Sequence, residues 1–353
     1  QEPYVKTLAD SKKQNGENVL IISAGDTFHG QLIAQLSKGL TIAKIMNCTG
    51  YDYIAPGNHD FNYEVSGLKD IEAQANFKIL ASNVTNKSDG SNVFTPYDIK
   101  IIDGVKIGIF GLATPETLVK TSGRESITKL DFEDPIENAK KIVKQLKQQG
   151  CKIIIAITHL GLYDSSDSNY KSDCLAQNVS DIDVIIDGHS HTALQNGLYV
   201  KDTLIAQTGE HGKNIGVVNL SIKDEKLEKS AHLISSDEYI KITPGAEILQ
   251  IIQDENKKIE DLVNEKICTI NFDLDGERQN VRTRETNLTD LVTDAILDKT
   301  QADLALINSG TVRGSIKAGT ITKGDVYKIL PFTNFVVKLE KVKGLTILKA
   351  IEH

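Results

Sequence analysis

The segment Gly25-Asp26-Thr27-Phe28-His29 follows the apolar run Val19-Leu20-Ile21-Ile22, and two later segments repeat this arrangement. They are Gly57-Asn58-His59-Asp60 and Gly188-His189-Ser190-His191. An apolar run that ends in glycine and a carboxylate, amide or imidazole is typical of a buried strand reaching the carboxyl edge of a sheet. Open α/β sheets bind their ligands at that edge, so the three segments predict an α/β fold that carries a metal site.

Strand-like and helix-like segments alternate from Val5 to Asp187, which predicts a layered α/β architecture. Two strand-like runs joined by Asp103-Gly104 predict a hairpin, since this pair readily adopts positive φ angles. Asp134 and Pro135 predict the start of an amphipathic helix that stops at Gly150. Two more strand-like runs, residues 203–206 and 216–220, predict that a second sheet closes the domain. We therefore expect a two-sheet α/β sandwich.

The chain is long enough for two domains, because 353 residues with 40% hydrophobic content suffice for two cores. The first domain is predicted over residues 1–240. Thr243-Pro244-Gly245 then predicts a capped helix, which we interpret as a connector over residues 241–266. Residues 267–353 are predicted to form the first part of an α+β domain that is incomplete in this chain.

Charge and composition exclude several classes of function. A net charge of −8 without a long basic block argues against binding nucleic-acid polymers or an anionic membrane face, but leaves small phosphorylated substrates open. No apolar stretch reaches the roughly 18 to 20 residues of a membrane span, and the first residues resemble no secretion signal. The four cysteines are widely spaced, so buried thiols are expected rather than a zinc knuckle or a disulfide framework.

Five side chains near the ends of strand-like runs form a candidate ligand set for two divalent ions: Asp26, Asn58, His159, His189 and His191. Two metals about 3.5 to 4 Å apart would hold a bridging hydroxide and clamp a phosphoryl oxygen. A lone histidine after a strand is more often simply hydrogen-bonded, so the prediction depends on the five occurring together. His29, His211 and His232 lack such partners and are expected to be structural or surface residues.

The chain resembles the 5'-nucleotidase family of calcineurin-like dimetal phosphoesterases. The resemblance is carried by four segments in order, namely Ala24-Gly25-Asp26-Thr27, Pro56-Gly57-Asn58-His59-Asp60-Phe61, Thr158-His159-Leu160-Gly161 and Gly188-His189-Ser190-His191-Thr192. It implies that Asp26 bridges two metals, that Asn58, His159 and His189 bind one of them, and that His191 binds the other. It also implies that His59 stabilises the transition state or the leaving oxygen.

Two segments of the second domain extend the resemblance to the substrate-binding domain of the family. They are residues 275–282, Asp-Gly-Glu-Arg-Gln-Asn-Val-Arg, and residues 308–313, Asn-Ser-Gly-Thr-Val-Arg. The resemblance implies that three arginines contact anionic or ribose groups, that two asparagines add hydrogen bonds, and that one phenylalanine stacks a base. These residues are Arg278, Arg282, Arg313, Asn308, Asn334 and Phe332. Ordinary ion pairs and core packing are the alternatives for the arginines and for Phe332.

Two departures from the family pattern stand out. The Asp-x-His motif of the family's opening strand does not precede the helix-like segment Tyr4 to Lys13, so two ligands of one metal are absent from this sequence. We expect the parent protein to carry that motif after a secretion signal. At Asn62 many relatives place an aspartate, and an amide orients His59 without stabilising its cation as a carboxylate does.

The expected function is therefore metal-dependent hydrolysis of nucleotide phosphomonoesters by a secreted, periplasmic or cell-surface enzyme, with both domains acting on a small nucleotide. Zinc, manganese or iron would suit the mixed nitrogen and oxygen ligands. The alternatives are a 2',3'-cyclic-nucleotide phosphodiesterase, which Asn62 suggests by resemblance, or a nucleotide-sugar hydrolase. An alternative of another class is a non-catalytic surface protein that binds a nucleotide or a partner.

Overall fold

Two compact units make up the chain in a computed structural model that describes residues 1–121, 124–163, 167–332 and 336–352. The first unit comprises Gln1–His29 with Ile33–Lys258, and the second comprises Gly30–Leu32 with Ile259–His353. The division therefore falls within the helix Ala246–Asn264.

The described residues contain the following α-helices: α1 Glu2–Gln14, α2 Leu32–Leu36, α3 Leu40–Thr49, α4 Glu64–Gln74, α5 Thr117–Lys120, α6 Arg124–Ile127, α7 Pro135–Gln148, α8 Ser172–Asn178, α9 Ser236–Tyr239, α10 Ala246–Asn264, α11 Arg278–Val281, α12 Asn287–Thr300, α13 Lys323–Ile329 and α14 Gly344–Glu352. Short 3-10 helices occur at Asn58–Tyr63, Ser168–Tyr170 and Ser309–Thr311. None of the described helices has the length and apolarity needed to cross a bilayer.

The strands are β1 Ile22–Ser23, β2 Tyr53–Ile54, β3 Lys78–Ile79, β4 Val84–Asn86, β5 Tyr97–Ile102, β6 Val105–Ala113, β7 Leu130–Phe132, β8 Ile153–His159, β9 Val184–Asp187, β10 Leu198–Val200, β11 Thr203–Ala206, β12 Asn214–Lys223, β13 Lys226–Ser235, β14 Lys266–Ile270 and β15 Gly319–Thr322. The main sheet has the order β10-β11-β9-β8-β6-β5. Its four inner strands are parallel, and β10 and β5 are antiparallel edge strands. A second sheet, β1-β2-β3, is parallel throughout.

Strand β8 lies at the centre of the first unit and is buried along its whole length. Because successive side chains of a strand point to opposite faces, Ile154 packs with Leu146 of α7 while Ile155 packs in a cluster with Tyr53 of β2 and Val218 of β12. Helices therefore cover one face of the main sheet. The three-stranded sheet and the β12-β13 hairpin cover the other face.

Helices α3 and α4 form the outermost layer on the side of the three-stranded sheet. Met46 of α3 and Leu68 of α4 pack in one buried cluster with Ile54 and Ile79 of the sheet. Burying a side chain of this kind contributes about 1.5–3 kcal/mol. The layers are thus helix, sheet, sheet and helix, which confirms the predicted two-sheet α/β sandwich.

The two local predictions that rest on turn and cap chemistry are confirmed. Asp103 and Gly104 have φ angles of 48° and 80°, and they connect β5 to β6 as an antiparallel hairpin. Asp134 caps α7, because its carboxylate accepts hydrogen bonds from the N–H groups of Ile136 and Glu137, both at 2.9 Å.

Two other predictions differ from the structure. Residues 203–206 do not belong to a second sheet, because β11 pairs in parallel with β9 and extends the main sheet. The connector helix begins at Ala246 rather than directly after Thr243. The carbonyl of Gly245 accepts from the N–H of Leu249 at 3.2 Å, whereas its own N–H donates to the carbonyl of Pro3 at 2.9 Å.

The second unit has a small core of its own, formed by residues such as Leu274, Leu288, Val312 and Ile321. Strands β14 and β15 pair antiparallel, and the helices α11 to α13 supply the remaining core residues. This mixture of helices with an antiparallel pair agrees with the predicted α+β class. Of the four cysteines, which form no disulfide, only Cys151 is buried.

Candidate metal centre

The predicted ligands of the first unit follow the carboxyl ends of neighbouring parallel strands. Asp26 follows β1, Asn58 follows β2, His159 is the last residue of β8, and His189 follows β9. Side chains from both sheets meet here, since the ring of His159 on the main sheet contacts the carbonyl of Ala24 beside β1 at 2.6 Å.

Asp26 and His159 form the first pair of facing donor atoms. The Oδ2 atom of Asp26 lies 3.2 Å from Nε2 of His159, within ion-pair distance, yet the geometry is not that of a hydrogen bond and Nε2 is a buried atom without a hydrogen-bond partner. Nδ1 of the same ring donates to the carbonyl of Ala24. In the neutral ring Nε2 therefore presents a lone pair towards a carboxylate.

Asn58 and His189 form the second pair, with Oδ1 of Asn58 at 3.1 Å from Nδ1 of His189. The amide nitrogen of Asn58 donates to the carbonyl of Lys120 at 3.1 Å, which determines that its oxygen is the atom facing the ring. Nε2 of His189 lies 3.0 Å from Oε2 of Glu116, a buried carboxylate. Because a carboxylate only accepts, Nε2 carries the proton and Nδ1 faces Asn58 with its lone pair.

These two pairs fit a divalent metal. Two acceptor atoms that face each other repel unless a proton or a cation lies between them. Metal–nitrogen and metal–oxygen bonds of about 2.0–2.2 Å place adjacent ligand atoms roughly 3 Å apart, as they are here. Among the described residues, no group of three or more His, Cys, Asp or Glu side chains forms a complete metal site, and the donors meet as pairs that include an amide oxygen.

The electrostatics of the two histidines differ although their ring centroids lie 5.1 Å apart. Burial lowers the pKa of His159, but the charge and contact of Asp26 outweigh it and raise this pKa to about 9. Burial and the positive charges of His159 and Lys120 lower the pKa of His189 to about 4. Burial opposes ionisation of Asp26, yet the neighbouring histidines hold its pKa below the usual range. The negative charge of Asp26 thus favours a positive charge beside it, whether a proton on His159 or a metal ion.

His191 is more exposed than the other ligands and has a different partner. Its side chain is 40% exposed, and its Nδ1 lies 2.8 Å from Oε2 of Glu210. The carboxylate holds the proton on Nδ1 and leaves the lone pair on Nε2. The structure does not bring His191 into contact with the two donor pairs. His211, expected to be a surface residue, is 77% exposed and lies 3.4 Å from Glu210.

His59 lies beside the first donor pair, because its backbone N–H donates to Oδ1 of Asp26 at 2.8 Å. Its Nδ1 lies 3.2 Å from the amide nitrogen of Asn62, and Oδ1 of Asn62 accepts from the hydroxyl of Thr121 at 2.9 Å. With the amide so oriented, Asn62 donates to Nδ1. A neutral His59 therefore carries its proton on Nε2 and can donate it. The ring of His29 stacks on that of His59 at 6.1 Å.

Asp60 holds the two loops that carry Asp26 and Asn58, although sequence reasoning assigned it no role. Its carboxylate is fully buried and accepts from the N–H groups of Asp26, Thr27, Phe28 and Gly57 at 2.8–2.9 Å. Burial and the charge of Asp26 raise its pKa to about 6.

Gly57, the residue before Asn58, is required because the loops that carry Asp26 and Asn58 approach each other closely. A Cβ on Gly57 would lie 2.2 Å from Oδ1 of Asp26. A Cβ on Gly188 would likewise lie 2.7 Å from the carbonyl of Ala24 and 2.9 Å from Nδ1 of His159. The motif glycines thus let the backbones pass within reach of the ligands.

Glu116 and Glu210 are two further site residues that sequence reasoning missed. Glu116 follows β6, which ends at the same edge as β8, and that position was the available signal. The segment Thr114-Pro115-Glu116 lacks the glycine and histidine that marked the other segments. Glu210 follows the strand-like run 203–206, which the sequence did not assign to the main sheet, so only the folded chain places it against His191.

The second unit groups several of its predicted binding residues. Arg278 and Arg282 are exposed and lie one turn apart, since Arg278 begins α11 and Arg282 directly follows it. Nη2 of Arg282 lies 3.9 Å from the position that a Cβ on Gly310 would take, so it is close to the turn where Asn308 accepts from the N–H of Gly310 at 2.8 Å. The guanidinium of Arg313 lies 5.0 Å from the ring centroid of Phe332, which is half-buried. Asn334 lies outside the described residues.

Comparison with known proteins assigns the chain to a family. The family profile described as "Calcineurin-like phosphoesterase" matches residues 1–193, and the profile "5'-nucleotidase, C-terminal domain" matches residues 266–353. A 5'-nucleotidase of Vibrio parahaemolyticus is 31% identical over 95% of this chain and 67% of its own length. The chain belongs to the 5'-nucleotidase family of calcineurin-like phosphoesterases.

Other members of this family are similar to the same extent. The trifunctional nucleotide phosphoesterase YfkN of Bacillus subtilis is 30% identical over 98% of this chain and 26% of its own length. The crystal structure of a 5'-nucleotidase precursor from Thermus thermophilus superimposes with a TM-score of 0.77 at 29% identity, covering 94% of this chain and 68% of that one. Membership of the family makes the chain a metal-dependent phosphoric ester hydrolase that uses divalent ions.

Proposed function

We propose that this chain is a nucleotidase that hydrolyses the phosphate monoesters of nucleotides. The observation that carries the proposal is the convergence of two acceptor pairs, Asp26 with His159 and Asn58 with His189, at one edge of the sandwich. The names of the related 5'-nucleotidases support the substrate class.

The contacts of Asp26 with His159 and of Asn58 with His189 support the ligand assignment that the family resemblance implies. Asp26 would bridge two ions, with Asn58, His159 and His189 on one of them and His191 on the other. The ions would activate water and offset the charge of the phosphoryl oxygens. Zinc, manganese and iron all suit imidazole together with oxygen ligands, and we propose a metal from this group.

His59 is the proposed catalytic residue that is not a ligand. Asn62 donates to its Nδ1, so a neutral ring keeps a proton on Nε2. That N–H can donate to a phosphoryl oxygen or to the leaving oxygen, where negative charge develops in the transition state. A neutral donor suits a site in which Asn62 supplies no negative charge to stabilise an imidazolium.

The second unit supplies the proposed contacts to the nucleotide. Arg278 and Arg282 would pair with anionic or ribose groups, since a planar guanidinium offers several donors at once. Phe332, with Arg313 already over its ring at 5.0 Å, would offer a surface for a base. Asn308 and Asn334 would add hydrogen bonds.

The test is phosphate release from AMP and from 2',3'-cyclic AMP with added Mn²⁺ or Zn²⁺. We expect metal-dependent release from AMP, and we expect His59→Ala to lower kcat by roughly 10²–10⁴-fold, the usual effect of losing a proton donor. His232→Ala on strand β13 is the matched control, which should leave kcat unchanged. Preference for the cyclic substrate would replace the proposal by a phosphodiesterase, and no release from either substrate would contradict it.

We further propose that the protein acts outside the cytoplasm in nucleotide catabolism. The similarity to a Thermus thermophilus protein described as a precursor supports this location. Fractionation of the source cells, followed by immunodetection, should place the protein in the medium, the periplasm or the cell surface. Detection in the cytoplasm alone would contradict the proposal.

A further inference from the structure

We infer that Glu116 is a positioning residue that keeps His189 in the one tautomer able to bind a metal through Nδ1. The inference rests on the proposed function, because it gives Glu116 a part in building the proposed metal site. It concerns a residue outside the ligand set, and it can be measured in the protein without metal.

The tautomer of His189 is decided by a competition between its two ring nitrogens. Nδ1 faces Oδ1 of Asn58 at 3.1 Å, and this amide cannot turn around because its nitrogen donates to the carbonyl of Lys120 at 3.1 Å. If Asn58 were the only neighbour, the proton of His189 would lie on Nδ1 and donate to that oxygen. A proton there would block the nitrogen that faces the other ligands.

Glu116 favours the opposite tautomer. Its Oε2 lies 3.0 Å from Nε2 of His189, and both side chains are largely buried, 4% and 7% exposed. A hydrogen bond to an ionised carboxylate is roughly twice as strong as one to a neutral amide oxygen. The proton of His189 therefore lies on Nε2, and the lone pair of Nδ1 is directed towards Asn58 and is available to a cation.

Lys120 holds the carboxylate of Glu116 in place. Its Nζ lies 2.6 Å from the same Oε2 atom, and it is 3.4 Å from Nε2 of His189. The contact of Nε2 with the carboxylate is the shorter one, so the ring donates to Glu116 rather than accepting from Lys120. A carboxylate that orients a metal-binding histidine through its other nitrogen typically contributes a 10- to 100-fold gain in metal affinity or activity.

The experiment measures the tautomer and the metal affinity separately. In the metal-free 353-residue chain at about pH 7.5, two-bond ¹⁵N–¹H NMR spectra report which nitrogen of His189 is protonated, with His189→Gln used for assignment. Wild type should show Nε2–H, and Glu116→Ala should move the proton to Nδ1. Glu116→Gln should retain Nε2–H, because the amide oxygen can accept from both His189 and Lys120.

Titration with Mn²⁺, followed by the electron paramagnetic resonance of the free ion, then gives the affinity. Glu116→Ala should bind Mn²⁺ about 10- to 100-fold more weakly, whereas Glu116→Gln should lose less. Glu137→Ala is the matched control, since Glu137 forms an exposed pair with Lys140 at 2.7 Å and its loss should change neither readout.

These outcomes distinguish a failure of the role of Glu116 from a failure of the proposed function. The role of Glu116 is overturned if His189 of wild type carries its proton on Nδ1. It is also overturned if Glu116→Ala keeps the proton on Nε2 and binds Mn²⁺ as tightly as wild type. Neither result depends on whether the protein hydrolyses nucleotides. If Glu116→Ala does not fold, loss of Nε2–H in Glu116→Gln overturns that role. The expected tautomers and affinities without nucleotide hydrolysis would contradict the proposed function and leave the role of Glu116 intact.

Discussion

Single buried carboxylates organise the site at the residue scale. Asp60 joins the loops after β1 and β2 through four backbone N–H groups, and Asp187 joins the ends of β8 and β9. Both oxygens of Asp187 are used, since Oδ1 accepts from the hydroxyl of Thr158 at 2.8 Å and Oδ2 accepts from the amide of Gln207 at 3.0 Å. The ligands are thus placed by acids that are not ligands themselves.

Asp60→Asn tests this organisation. Each oxygen of Asp60 accepts from two N–H groups, so an amide in either orientation sets its NH₂ group against two donors. Leaving two buried donors unsatisfied should lower the free energy of unfolding by about 3 kcal/mol. Urea denaturation measures the change.

Asp89→Asn is the control for that measurement. Asp89 also accepts backbone and side-chain hydrogen bonds, from Ser91 at 2.9 and 2.7 Å, but it is exposed. We expect no loss beyond the error of the measurement there. Equal losses in the two variants would show that the buried N–H cluster has no special role.

The elements are connected by a second polar contact, between the two sheets. Oδ2 of Asp98 on β5 lies 2.8 Å from both the hydroxyl of Tyr53 on β2 and Nζ of Lys78 on β3. Asp98 thereby joins an edge strand of the main sheet to two strands of the smaller one. Burial opposes its ionisation, but the contacts with Lys78 and Tyr53 outweigh burial and hold its pKa below the usual range.

This contact predicts a pH dependence of stability. Because the pKa of Asp98 is lower in the folded than in the unfolded chain, its contribution is present above the unfolded value of about 3.9 and is lost as the pH falls through the folded value. Asp98→Asn should therefore be less stable than wild type by about 1 kcal/mol at pH 7, and the difference should be smaller at pH 3, below the unfolded value. Urea denaturation at both values checks this.

An exposed ion pair, Glu137 with Lys140, provides the control for Asp98→Asn. Glu137→Gln removes the charge that pairs with Lys140 on α7, and the pair lies in solvent. Exposed pairs of this kind contribute little, so the stability of the variant should match that of wild type at pH 7 within the error of the measurement. A difference for Asp98→Asn that stays constant with pH would mean that ionisation is not the source of its effect.

At the scale of the whole molecule, the two units have separate tasks in the proposed function. All proposed metal ligands belong to the first unit, and the proposed nucleotide contacts belong to the second. A ligand stabilises the state that binds it, by about 2.7 kcal/mol at a concentration of 100 times Kd. Local unfolding of the unit that binds the ligand should therefore become less frequent.

Hydrogen exchange followed by mass spectrometry can separate these tasks. Mn²⁺ should slow exchange in peptides that contain residues 24–29, 57–60 and 188–192, with a smaller change in residues 266–332. His189→Ala should abolish the effect in the first unit. Equal protection of both units by Mn²⁺ would contradict the assignment of the metal site to the first unit alone.

Much of the fold followed from local patterns. The β5-β6 hairpin and the capped helix α7 were predictable because a turn pair and a cap act within a few residues. The membership of β11 was not, since an apolar run of four residues pairs equally well in either sheet. Its parallel pairing with β9 is decided by contacts with Val184 and Ile185, each 20 residues before its partner and beyond the reach of a local pattern.

The sequence by itself determined the family, the layered α/β class and the set of candidate ligands. Each of these depends on short segments that can be recognised without knowing their tertiary contacts. Only the tertiary structure decided which donor atoms face each other, and that Glu116, Asp60 and Glu210 support them. Those contacts join residues tens of positions apart, and their hydrogen bonds depend on loops that come together when the two sheets pack.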